Sequence, residues 1–133
     1  MLPEGLGRFR AEGPAEPSQT RVSGMPLETL ERLYSDRGRS LRIRVLDAEG
    51  AAGLRAAFET LRSIHLDTLD EVSRPATVGP HRATLQWSRR TMESEAQLLY
   101  RDRFLISTAI WPADRSDEAL DPLEALPELR SAR

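Results

Sequence analysis

The chain has 133 residues, 39% hydrophobic and 30% charged, with nineteen basic against twenty-one acidic groups for a formal net charge of −2. That length supports one hydrophobic core, and the near-neutral charge withholds the positive field that non-specific nucleic-acid binding needs; no stretch approaches the roughly 20 apolar residues that span a bilayer. The absence of cysteine excludes disulfides, thiolate nucleophiles and cysteine-ligated metal centres.

The opening MLPEGLGRF has no basic segment followed by an apolar one, so the chain reads as cytoplasmic. A chain starting just after a removed signal or lipid anchor reads the same way, which keeps the periplasm or cell envelope as the alternative. Residues 11–20, AEGPAEPSQT, collect glycine, proline and small polar residues and predict a loop. The segment from Leu27 to Ser35 fits a strand, although Pro26 is also a plausible helix start, and Asp36-Arg37-Gly38 turns the chain into SLRIRVLDA. There Leu41, Ile43 and Val45 alternate with Arg42 and Arg44, the pattern of a strand with one face in the core.

Leu54, Ala57, Phe58, Leu61 and Ile64 then recur at helical spacing and predict an amphipathic helix. Residues 66–74, LDTLDEVSR, read as an acidic loop. PATVG and HRATLQWSRR read as strands joined at Gly79-Pro80, TMESE as a polar turn, AQLLYR as a further strand, and FLISTAIW as a strand apolar on both faces. After Pro112, Ser116 is the expected N-cap of a C-terminal helix with Asp117 and Glu118 in its first turn, and Pro122 and Pro127 are expected to break it. The expectation is a single α+β domain over residues 1–133, with 127–133 as a fraying tail. An antiparallel sheet of about five to six strands would carry one main helix and a C-terminal helix packed on it. The expected core comprises Leu41, Ile43, Val45, Leu54, Phe58, Leu61, Leu85, Leu105, Ile106 and Ile110.

Catalytic chemistry finds little purchase. The two histidines are His65, at the expected helix end, and His81, at the start of a strand. Pairing His65 with Asp67 or Asp70 would give a base and its orienting acid, but a helix-end imidazole is the plainer reading. Glu93 with Glu95, and Asp67 with Asp70 and Glu71, are the tight carboxylate groups; both fall in predicted turns, where water solvates acids, and a calcium site is the lesser reading. No metal ligand set and no phosphate-binding glycine motif occurs, so neither a metal nor a cofactor is expected.

Every basic residue is arginine, which the coding bias of a GC-rich genome explains and which would make any anion-binding patch directional. Arg37, Arg39, Arg42 and Arg44 gather at the first hairpin, and Arg82, Arg89, Arg90, Arg101 and Arg103 around the later strands. They are either the solvated side of a sheet or a face that holds an acidic partner. Trp87 and Trp111 sit near strand ends, as core residues whose indole N–H reaches a polar rim or as the mouth of an apolar groove. The candidate binding residues are therefore Arg42, Arg44, Arg82, Arg101, Arg103, Trp87 and Trp111.

The opening Leu2-Pro3-Glu4-Gly5, the strand ending LRIRVLD, the helix, TVGPHRATLQW, and LLYRDRFLISTAIW before a terminal helix together resemble the small sandwich domains of the PsbP/DcrB-like group. The resemblance lies in element order and spans nearly the whole chain. It implies a non-enzymatic accessory protein and brings no catalytic residues. The reading is thus a non-catalytic accessory or binding protein that holds another protein through a sheet face or groove. The alternative is a small-ligand carrier or sensor for an anionic or amphipathic molecule.

Overall fold

A computed structural model describes residues 2–22, 25–48 and 52–126. Among them the order is β1 (Gly5–Leu6), β2 (Phe9–Ala11), β3 (Glu16–Val22), β4 (Met25–Asp36), β5 (Arg39–Asp47), α1 (Ala52–Arg62), β6 (Leu66–Asp67), β7 (Glu71–Val78), β8 (His81–Ser88), β9 (Glu93–Tyr100), β10 (Phe104–Trp111) and α2 (Leu120–Ala125). The strands form one antiparallel sheet in the order β1-β2-β4-β5-β10-β9-β8-β7-β6, with β3 also paired to β4. It is two meanders joined side by side, because β10 returns to lie along β5 over the full run Phe104↔Asp47 to Trp111↔Ser40.

This corrects the expected α+β architecture. Of the described residues 55% are in ten strands and only 14% in two short helices, so the fold is an open antiparallel sheet rather than five or six strands under a main helix. The extra strands lie toward the sheet's two ends. Residues 16–20, within the expected 11–20 loop, pair with β4 from Glu16↔Glu31 onward. The expected 66–74 loop supplies β6 and the start of β7, paired Leu66↔Ser73 and Glu71↔Ser88. An outermost strand has one paired side and tolerates proline and charge, so Pro17 and the acidic 66–74 segment carry loop composition in a strand conformation.

Alternation assigns the two faces. Leu41, Ile43 and Val45 stand opposite Ile110, Thr108 and Ile106 on β10, and all six are buried with Tyr34, Leu85 and Leu98. The 113–126 segment covers this first face through Ala113, Ala119, Leu123 and Leu126. Two polar side chains in the core serve that docking. Ser94 Oγ donates to the Ser116 carbonyl at 2.7 Å and accepts from the Ala119 amide at 3.0 Å, and Thr108 Oγ1 donates to the Ala119 carbonyl at 2.6 Å. Hence residues 116–119 form a turn fixed from below, and α2 starts at Leu120 after Ala119, with no side-chain cap, rather than after Ser116. Pro122 lies in the first turn of α2, where its missing N–H costs nothing, so it does not break the helix. Pro127 and the 127–133 tail lie outside the described residues.

On the second face α1 buries Phe58 against Leu27, Leu46 and Leu105, with Leu54 and Leu99 partly buried beside them. Of the ten expected core residues only Leu54 and Leu61 remain half-buried, since α1 covers one end of that face and one side of it stays wet. No helix among the described residues is long and apolar enough to cross a membrane.

Candidate functional site

The part of the second face that α1 does not cover is built by register. One row runs across six strands as Leu33, Arg42, Ala109, Glu95, Gln86 and Ser73, each paired with the next. Its neighbour runs Ser35, Ser40, Trp111, with Glu93, Ser88 and Glu71 continuing on the later strands. Solvent reaches Leu33, Arg42, Trp111, Glu93, Glu95 and Gln86, and Leu33 is 42% exposed. The rows place arginine at the β4–β5 side and glutamate at the β7–β9 side, with Trp111 between them.

At the basic side the Arg42 guanidinium lies 5.6 Å from the Trp111 ring centroid, within cation–π reach. Arg44 pairs with Glu31 at 3.0 Å on the adjoining strand. The sheet thus brings Arg42 and Trp111 together and sets Arg44 further along the same face, paired with Glu31. It does not bring the other four candidates to them. Arg82 pairs with Glu59 of α1. Arg103 donates to both carboxylate oxygens of Asp47, at 3.0 and 2.8 Å, and Arg101 lies over the Tyr100 ring, both in the β9–β10 turn. Trp87 pairs with Ser94 and faces the core, whereas Trp111 shares its face with Arg42, so the two indoles lie on opposite sides of the sheet. Arg39, from the first arginine group, is a structural tie: it bonds Asp36, Asp114 and Glu118 and lies 5.1 Å from the Phe9 ring centroid.

The acidic side holds residues that sequence reasoning assigned to turns. A cavity of about 260 Å³ is walled by Leu66, Glu71, Ser73, Gln86, Glu93 and Glu95 among others. Burial pushes the Glu95 carboxyl above its ordinary range and Glu93 adds to that push, while a hydrogen bond from Gln97 and the charges of Arg42 and Arg44 oppose it. Ser73 Oγ and Gln86 Nε2 are buried in this wall without a hydrogen-bond partner. The signal for this patch was the polar alternation Glu93, Glu95, Gln97 against Ser94, Ala96, Leu98, which marks a strand and not a turn.

Among the described residues no group of three His, Asp or Glu side chains is placed to hold a metal ion. His65 is exposed and makes no bond with Asp67 or Asp70, and His81 stacks edge-on to Tyr100 at 5.4 Å with its Nε2 buried and unpartnered. Neither arrangement supplies a base beside a nucleophile. Searches against protein families, curated proteins and solved structures return no match for the chain.

Proposed function

We propose that the chain is a non-catalytic binding protein that holds another protein on the uncovered part of its second sheet face. The observation that carries this reading is the Arg42–Trp111 stack on the two central strands, with the exposed Leu33 beside it. Tryptophan and arginine are the residue types that dominate interface energetics, and rigid strands present them at low ordering cost. The small-ligand alternative would want free arginines converging on a pocket. Of the three arginines that line the 360 Å³ cavity between β2 and α2, Arg39 and Arg115 are engaged by carboxylates, which leaves Arg8 alone and no converging pair.

The test is recovery of a bound protein from source cells by the wild-type chain and by the double variant Arg42→Glu, Arg44→Glu. The double variant should keep the fold, because both side chains are partly exposed and oppose the core positions, but melt somewhat below the wild type, because Arg44→Glu sets a carboxylate directly opposite Glu31. Partner recovery should fall at least tenfold. Equal recovery by a folded double variant would reject this face as the docking site.

A further inference from the structure

The cavity at the acidic side pairs a spread of carboxylates with a buried hydroxyl that has nothing to bond. Glu93 and Glu95 are two residues apart on one strand, about 7 Å at the usual rise, and Glu71 lies two strands from Glu93, about 10 Å away. Among the described residues these carboxylates form no three-ligand group placed to hold a metal ion, and their spread suits an organic cation with several donors. Ser73 is 8% exposed and lines the cavity, yet its Oγ, which can accept a hydrogen bond, has no partner. Buried polar groups without partners are costly, and a ligand that bonds them recovers the cost.

We propose that this cavity, between Glu71, Ser73, Gln86, Glu93 and Glu95, is a binding site for a guanidinium group. A planar fork of five donors can engage the Glu95 carboxylate bidentately and still reach Ser73 Oγ, which a compact ammonium cannot do from one position. Leu66, exposed and paired with Ser73, forms the side wall that covers the aliphatic stem and yields as the group enters. The single positive charge of the guanidinium sits against two neighbouring glutamates that repel one another, so binding also eases the unfavourable charge of the empty site.

The experiment titrates the isotopically labelled chain, by two-dimensional NMR, with N-acetyl-arginine methylamide, with the neutral citrulline counterpart, with the lysine counterpart and with agmatine. The arginine compound should give saturable shifts at residues 71–73, 86 and 93–95. The citrulline compound should give none, and the lysine compound should bind several-fold more weakly. Agmatine binding as tightly as the peptide-like compound assigns a small guanidine as the source, and weaker agmatine binding assigns an arginine of a polypeptide; both support the site. Glu95→Gln should weaken binding at least tenfold, and Ser73→Ala, which removes only the unpartnered hydroxyl, several-fold with the fold unchanged. Equal shifts from citrulline, or unchanged affinity in a folded Ser73→Ala chain, would overturn the proposal. The site is tested separately from the Arg42–Trp111 reading: equal partner recovery by the folded Arg42→Glu, Arg44→Glu chain rejects that reading alone, and absent arginine binding by the wild type rejects this one alone.

Discussion

Glu118 and Glu95 are both carboxylates on this sheet, and their surroundings give them opposite characters. Glu118 is 6% exposed, but one of its oxygens accepts from the Asp114 and Arg115 amides and the other pairs with Arg39, so both have donors. Such a charge ties the post-β10 segment to the β4–β5 hairpin. Glu95 has burial without equivalent donors, and Glu93 beside it, so its proton is held above the ordinary carboxylate range. A carboxyl raised in the native state makes the folded chain bind its proton more tightly than the unfolded chain. Its favourable contribution is complete below the unfolded value of about 4.3 and is lost as pH rises through the raised native value. Thermal melts should therefore show Glu95→Gln more stable than wild type at neutral pH, with the gap closing toward about pH 4. A wild type more stable than the variant at pH 7 would mean that Arg42 and Arg44 outweigh desolvation at this carboxylate.

At the scale of elements, legibility in the sequence followed burial. β5, β8 and β10 lie inside the sheet with at least one face in a core, and their alternating or continuous apolar residues announced them. β3, β6 and the start of β7 lie at the ends, where Pro17, Asp67, Glu71 and Pro75 meet no steric or electrostatic objection, and nothing in their composition separates strand from loop. The same limit hid the acidic cavity, because its acidic walls, Glu71, Glu93 and Glu95, come from segments read as turns. Turn chemistry was clearer. Asp36 pairs with Arg39, leaving Arg37 and Gly38 as a two-residue loop with φ of 48° and 85°. Both angles are positive, the requirement of a type I′ hairpin, and glycine meets it freely while arginine does not. Asparagine tolerates this region, so Arg37→Asn should stabilise the chain by about 0.5–1 kcal/mol, raising the melting temperature by about 2–4 °C. Differential scanning calorimetry would detect the shift. A loss of stability would show that the Arg37 side chain makes a contact worth more than its backbone strain.

For the molecule as a whole, the question is whether two meanders joined along β5 and β10 behave as one unit. The N-terminal meander contributes Tyr34, Leu41, Ile43 and Val45 to the main core, and the C-terminal one contributes Leu85, Leu98, Ile106 and Ile110 to the same cluster. Neither set is closed alone. Opening the β5–β10 seam would break a run of paired residues from Phe104 to Trp111 and expose apolar surface on both sides of it. The 113–126 segment adds a second tie, since Arg39 of the first meander holds Glu118 above the strands of the second. With apolar burial worth roughly 25 cal/mol per Å², separating the halves would expose the shared cluster on both sides at a large cost. The chain should therefore melt in one transition, with calorimetric and van't Hoff enthalpies equal. Leu41→Ala and Leu85→Ala, at fully buried positions on opposite sides of the seam, should each cost about 2–5 kcal/mol and move that single transition without splitting it. Hydrogen exchange gives an independent reading, because the amides of β5 and β10 should open only with the whole molecule. Two transitions, or exchange in one meander while the other stays protected, would show that the seam is a boundary between two folding units and that the core is not shared.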